Sequence, residues 1–116
     1  MKKDYLDYMT DISDAIEEVG TFTRGMDLEG FLADRKTINA VIRSLEVMGE
    51  AAKKIPDGLR QTYSDILWRR MAAMRDKLIH EYHGVDLEIV RMVVREELPP
   101  IKPLVEKALA DMKEAD

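Results

Sequence analysis

Apolar residues recur at intervals of three and four along almost the whole chain, and no stretch alternates apolar and polar residues as an amphipathic strand would. This spacing predicts an all-α protein. We expect a first helix over residues 2–19, ended by Gly20. A second helix is expected to be capped by Asp27 and to run to Ile55, before the break at Pro56. The residues expected to face the core are Tyr5, Met9, Ile12, Ile16 and Val19, then Phe31, Ile38, Val41, Leu45, Met48, Ala52 and Ile55.

The second half of the chain predicts two or three further helices. A third helix is expected to begin near Asp65 or Trp68 and to end at "HGVD", where Gly84 fits the left-handed conformation that often follows a helix. Asp86 is the predicted N-cap of a fourth helix. Pro99 begins a "PP" pair without amide donors, so we expect a kink there or the first turn of a fifth helix. The expected inward residues are Leu87, Val90, Val94, Leu104, Ala108 and Met112. The pattern predicts an antiparallel bundle of four or five helices.

The composition is that of a single helical domain over residues 1–116, with 46% hydrophobic and 35% charged residues. The chain has no cysteine, which excludes a disulfide scaffold and a thiolate metal site. Acidic residues interrupt the N-terminal segment, and no segment is apolar enough to span a bilayer. We therefore expect a cytoplasmic protein with no membrane partner.

The charge is unevenly distributed along the chain. The net charge of −5 argues against a protein that coats nucleic acid by bulk electrostatics. Residues 66–80, however, carry four basic side chains and one acidic side chain. This basic segment is compatible with binding a few phosphates, in which case Arg69, Arg70 and Lys77 are candidate contacts. It is equally compatible with a solvated helix face.

Arg75 lies on a face of the third helix that is otherwise apolar. With Met71 at zero and about 100° per residue, Arg75 falls at about 40° and His80 near 180°. A buried arginine must find acidic partners or lie in a cleft. The residues expected on the buried face, within an arc of about 140°, are Trp68, Met71, Met74, Leu78, Ile79 and Tyr82.

Structural roles remain open for these polar residues. Arg75 can pair with an acidic residue of the second helix, such as Glu46 or Glu50. His80 can be a surface residue, and His83 can be a helix-end residue favoured by the helix dipole. The two histidines lack a third metal ligand in register, so no metal is expected.

A functional role is also open, because four chemically useful side chains lie within eight residues. Arg75, Asp76, His80 and Tyr82 supply a cation, a carboxylate, an imidazole and a phenol. Arg75 can stabilise charge that develops on phosphoryl oxygens, while His80 transfers the proton. The chain has neither a serine or cysteine nucleophile beside a base nor a glycine-rich phosphate loop. These residues favour metal-independent chemistry on a phosphodiester.

The sequence "RDKLIHEY" resembles the R-x4-H-x-Y motif of HEPN nucleases. Three longer stretches are similar to the HepT toxins, one branch of that superfamily. They are "FLADRKTINAVIRSLEVMGEAAKKIP", "ILWRRMAAMRDKLIHEYHGVDLEIV" and "EELPPIKPLVEKAL". The resemblance covers nearly the whole chain, and the sequence around the motif makes it more specific than the motif alone.

The resemblance implies a helical homodimer in which two copies of the motif face each other across a cleft. It implies a metal-independent endoribonuclease that is toxic to its host, needs no cofactor and takes RNA as substrate. Arg75 and His80 would be catalytic, and Asp76 would be the polar residue after the arginine. It also implies a minimal nucleotidyltransferase antitoxin that silences the toxin by transferring AMP onto Tyr82. Arg70 departs from many relatives, which have an acidic or apolar residue there, and this affects the rim of the cleft.

Two other functions remain open. The chain can be a catalytically weak helical subunit that binds a nucleotide or the nucleotidyltransferase, or a plain helical interaction domain. A dimer addresses one difficulty of the nuclease hypothesis, since Arg75 and His80 diverge by about 140° on one helix. A two-fold axis beside this helix would let Arg75 of one subunit act with His80 of the other.

Overall fold

The computed structural model describes residues 2–81 and 84–115, so Tyr82 and His83 lie outside it. All regular elements in these residues are helical, which confirms the predicted fold class. The elements are α1 (Lys2–Phe22), α2 (Leu28–Ala33), α3 (Arg35–Lys54), α4 (Asp57–Thr62), α5 (Trp68–His80), α6 (Leu87–Met92), a π-helical segment (Val93–Glu97) and α7 (Leu98–Ala115).

The first helix continues through Gly20 to Phe22, so the predicted end at Gly20 is wrong. A glycine ends a helix when its backbone turns to the left-handed region, and here that residue is Gly25, with φ of 77°. Thr23 closes the last turn of α1, because its hydroxyl donates to the carbonyl of Val19 at 2.7 Å. The turn after α1 therefore begins after Phe22 rather than at Gly20.

The predicted second helix is divided in two at Asp34. Asp27 is the N-cap of α2 as predicted, since its carboxylate accepts from the amide of Gly30 at 2.7 Å. Asp34 is extended and caps α3 in the same way, accepting from the amide of Thr37 at 3.0 Å. This hydrogen bond lowers the pKa of Asp34. A second aspartate that can satisfy a first-turn amide is enough to begin a new helix.

A short helix, α4, follows Pro56 where the sequence suggested only a connector. Arg60 of α4 donates to the carbonyls of Ile55 and Ala52 at 2.9 and 2.8 Å, so it satisfies acceptors at the C-terminal end of α3. The next helix, α5, begins at Trp68, one of the two predicted starts. Gly84 has no positive φ, so the left-handed conformation predicted for it is wrong. The end of α5 is instead capped by the amide of Glu81, which donates to the carbonyl of Lys77.

The last helices are joined through a wider turn. Asp86 caps α6 as predicted, accepting from the amides of Glu88 and Ile89. The π-helical segment then leads into α7, with the amide of Leu98 donating to the carbonyl of Val93, five residues earlier. Pro99 lies in the first turn of α7, one of the two predicted positions, although this turn continues directly from the π-helical segment.

The core forms where α3 packs against α1 and α5, and where α1 packs against α7. The direction of α1 is opposite to that of α3. Near one end the ammonium of Lys54 lies 5.6 Å from the ring centre of Tyr8, and near the other Ser44 donates to Glu18 at 3.1 Å. All seven residues expected inward in the second predicted helix are buried, and so are four of the five in α1, with Tyr5 half-buried. None of the described helices has the length and apolarity needed to cross a membrane.

Gly49 of α3 lies directly against the backbone of α5. A methyl group at Gly49 would lie 2.2 Å from Cβ of Arg75 and 2.5 Å from the carbonyl oxygen of Met71. Both distances are too short for any side chain, so only glycine fits without moving α5. This contact holds the backbone at Arg75 directly against α3.

Replacement of Gly49 by alanine should therefore destabilise the protein. We expect G49A to lower the free energy of unfolding by about 1–3 kcal/mol, because the backbone of α5 must shift. The matched control is G20A, in the helical part of α1, where a methyl group meets nothing within 4 Å. We expect it to stabilise by about 0.5–1 kcal/mol through helix propensity. Urea denaturation measures both, and equal effects would contradict the close contact.

Candidate active site

The face of α5 that points into the core is narrower than predicted. Trp68, Met71 and Leu78 are buried, but Ile79 is 43% exposed, so its assignment to the buried face is wrong. The Arg75 side chain is 24% exposed, neither in the core nor free in solvent. Arg75 and Ile79 lie one turn apart at the edge of the buried face. The apolar character of Ile79 predicted an inward position, but the described helices leave much of its surface exposed.

Arg75 and Ile79 line a groove of about 210 Å³ between α5, α3 and α1. Tyr8 lines it from α1, while Glu46 and Glu50 line it from α3. The groove is open to solvent and is lined by both acidic and basic side chains, so it can admit a polar ligand. Arg75 is thus placed in a cleft, one of the two situations that a partly buried arginine requires.

Arg75 also has the acidic partner that the sequence suggested. Its Nε lies 3.1 Å from Oε2 of Glu50, and its Nη1 donates to Oδ1 of Asp76 at 3.0 Å. Of the two glutamates expected on α3, Glu50 is the partner, whereas Glu46 lies 4.0 Å from Arg43. The ion-pair role proposed for Arg75 is therefore confirmed, with Glu50 rather than Glu46, and this role does not exclude a function in the groove.

Asp76 connects the candidate residues. Its carboxylate accepts from Lys53 at 3.1 Å and from Arg75 at 3.0 Å. The hydrogen bond from Lys53 and then that from Arg75 lower the pKa of Asp76. Its backbone carbonyl accepts from Nδ1 of His80 at 2.9 Å. Lys53 is a member of this network that the sequence analysis missed.

The hydrogen bond of His80 fixes how its ring carries a proton. A carbonyl oxygen only accepts, so Nδ1 must be the donor. In the neutral ring Nε2 then holds the free lone pair. His80 is exposed, as the helical periodicity predicts, so Nε2 is available to an outside group. This arrangement suits a general base.

The three basic residues proposed to contact phosphate differ in their surroundings. Arg69 and Lys77 are exposed. Arg70 forms a bidentate ion pair with Glu97 of the π-helical segment, and this pairing raises the pKa of Arg70. Arg69 and Arg70 line a second groove, of about 620 Å³, at the start of α5. Arg70 is committed to Glu97 in this arrangement, and nothing in the sequence indicated that pair.

Two candidate residues, Tyr82 and His83, lie outside the described residues, so the predicted modification site and the histidine pair are not located. Among the side chains that the structure describes, no three of metal-binding type come together.

The sequence is similar over nearly its whole length to a ribonuclease family and to proteins named as probable or putative ribonucleases. The model of the family "Ribonuclease HepT-like" matches residues 12–108. A probable ribonuclease HepT of Thermococcus cleftensis is 49% identical over 107 residues, which cover 92% of this chain and 97% of that protein. A putative RNase of Methanocaldococcus jannaschii is 42% identical over 113 residues, 97% of each chain. A putative RNase of Caldanaerobacter subterraneus is 39% identical over 90 residues, which cover 78% of this chain and 80% of that protein. No solved structure matches the chain significantly.

The matched span runs from α1 to α7 and includes Arg75, Asp76 and His80. The resemblance seen around the motif thus extends over the helices that build the groove. The predicted enzyme class is confirmed by these matches, and the chain belongs to the HepT-like ribonuclease family.

Proposed function

We propose that the chain is a metal-independent endoribonuclease and the toxin of a toxin–antitoxin pair. Its catalytic residues are Arg75 and His80, and it acts as a homodimer. The observation that carries this proposal is the network around Asp76, whose carboxylate binds Arg75 and whose carbonyl orients His80. One residue thus links a fixed cation to an oriented base at the surface of α5.

The reaction begins at the 2′-hydroxyl of the RNA. Nε2 of His80 removes its proton, and the resulting oxygen attacks the adjacent phosphorus, with the 5′ oxygen of the next nucleotide as leaving group. The leaving 5′ oxygen takes a proton from the protonated His80 or from water, so the products are a cyclic phosphate end and a 5′-hydroxyl end. Arg75 stabilises the negative charge that grows on the phosphoryl oxygens. Both roles use groups that this chain supplies, so no metal is required.

The homodimer is supported by two features of α5. Arg75 and His80 point in directions about 140° apart on the helix, so a single subunit cannot easily direct both side chains at one phosphate. Ile79, between them in sequence, leaves 43% of its surface exposed. A second copy across a two-fold axis would cover Ile79 and bring the partner subunit's histidine towards Arg75.

Inhibition by an antitoxin follows from the charge of the site. The proposed partner is a minimal nucleotidyltransferase that attaches AMP to Tyr82, two residues after His80. The added group is a bulky anion, attached seven residues after the cation that RNA phosphate needs. Occlusion and charge repulsion together would prevent RNA from binding.

A second function, a binding subunit without turnover, is favoured by one observation. Two carboxylates, Glu50 and Asp76, already hold the guanidinium of Arg75. A guanidinium so neutralised attracts phosphate less strongly, and the chain would then bind a nucleotide or the nucleotidyltransferase rather than cleave RNA. Turnover distinguishes the two functions.

We expect the purified chain to cleave RNA in the presence of a chelator. We expect H80A to reduce the rate at least about 100-fold, the lower range for loss of a general base. In cells, the wild type should arrest growth and H80A should not. Cleavage abolished by the chelator contradicts the metal-independent mechanism. Cleavage by H80A at the wild-type rate contradicts the role of His80.

The shared site can be tested by mixing subunits. R75A and H80A homodimers should both be inactive, since each lacks one group in both sites. A heterodimer of the two variants should regain about half of the wild-type activity, because one of its two sites is complete. Recovery is measured by RNA cleavage after co-refolding. Activity no higher than that of either homodimer would contradict a site formed across the interface.

Modification of Tyr82 gives a separate prediction. We expect Y82F to remain toxic when the nucleotidyltransferase partner is co-expressed, since phenylalanine has no hydroxyl to accept AMP. Growth curves with and without the partner measure this, and intact mass shows whether wild-type protein carries the adduct. Normal neutralisation of Y82F would contradict the need for modification.

A further inference from the structure

The C-terminal part of α3, residues 49–54, lies directly against the Arg75–Asp76 pair of α5. Gly49 allows the two backbones to approach, Glu50 pairs with Arg75, and Lys53 pairs with Asp76. One face of α3 thus presents a glycine, an acid and a base: the first two contact Arg75 and the third pairs with Asp76. None of these α3 residues belongs to the R-x4-H-x-Y motif.

Arg75 is held at three points along its length. Gly49 packs against its Cβ, Glu50 lies 3.1 Å from Nε, and Asp76 accepts from Nη1 at 3.0 Å. Asp76 is hydrogen-bonded to Nη1, whereas Glu50 contacts Nε as an ion pair, so the two carboxylates hold the guanidinium through different nitrogens. Neither of these two contacts uses Nη2.

The surroundings of Glu50 keep the cluster cationic. Glu50 also lies 3.9 Å from Lys54, and Lys53 lies 3.1 Å from Asp76. With Arg75, the cluster contains three cations and two carboxylates, a net charge of +1. The wider lining of the groove adds Arg43, Asp11 and Glu46, which brings the total charge to zero, so the positive charge is confined to these five residues.

We propose that Glu50 is a positioning residue for the ribonuclease reaction, acting through Nε of Arg75. This inference rests on the proposed function, in which Arg75 stabilises the phosphoryl oxygens. A carboxylate this close to an anionic substrate weakens RNA binding. Its contribution therefore lies in kcat, where the orientation of the guanidinium in the transition state counts.

A purely structural role makes a different prediction. The Glu50 side chain is 46% exposed, and half-exposed ion pairs contribute little to stability. If the pair only joined α3 to α5, removing it would change kcat no more than removing any neighbouring charge. Glu46 provides that comparison, since it lines the same groove one turn earlier and pairs with Arg43 instead.

The test compares E50M with E46M. Methionine keeps the length and helix propensity of glutamate but removes the charge and the strong acceptor. The substrate is a labelled single-stranded RNA oligonucleotide that contains every dinucleotide step. Both variants should lower KM, because each removes a negative charge from the groove. Only E50M should also lower kcat, by about tenfold. E50Q should lie between E50M and the wild type, since glutamine removes the charge but keeps the size and polarity of glutamate.

A double-mutant cycle with R75K shows whether Glu50 acts through Arg75. Lysine has no Nε–H in that position, so adding E50M to R75K should cause no further fall in kcat. An equal kcat for E50M and E46M, or losses that multiply in the double variant, would overturn the inference and leave the proposed function intact. Wild-type kcat in R75K, or no cleavage by the wild type, would overturn the proposed site itself. Thermal unfolding of each variant verifies that the compared proteins are folded.

Discussion

The contact between α3 and α5 at Gly49 is the constraint on which the candidate site depends. Because Gly49 presents only a hydrogen to α5, the backbones come close enough for Arg75 to reach Glu50 and for Asp76 to reach Lys53. A larger residue would separate these charges. The position of the guanidinium therefore depends on how closely α3 packs against α5, which Gly49 permits.

The helices and their buried faces were predictable because burial of apolar surface determines which face of a helix points towards the core. The seven residues expected inward around α2 and α3 are all buried. Helix ends were harder to predict. Gly20 was expected to end α1, but a glycine can also remain helical, and its backbone conformation depends on where the chain must turn. Asp34 has the same capping chemistry as Asp27, yet inside an apolar repeat it was not recognised as a boundary.

The candidate site was predictable where one residue broke a local pattern. Arg75 stood out as a cation on an apolar face, and Glu50 was one of two partners suggested for it. The pairs Lys53–Asp76 and Arg70–Glu97 were missed, because none of their members breaks an apolar pattern and so nothing in the sequence marks them as pairs. Ile79 was assigned to the core because it is apolar, and sequence alone does not tell which apolar edge lacks a covering helix.

The hydrogen bond from His80 to the carbonyl of Asp76 determines which ring nitrogen can transfer protons during the reaction. The ring nitrogen tied to the main chain is occupied, so every proton the imidazole gains or gives up must pass through the other nitrogen. A single copy of this histidine cannot receive a proton on one side and release one from the other at the same time. Nε2 must therefore first accept the proton of the 2′-hydroxyl and only then donate it to the departing oxygen, unless that oxygen takes a proton from another acid, such as water.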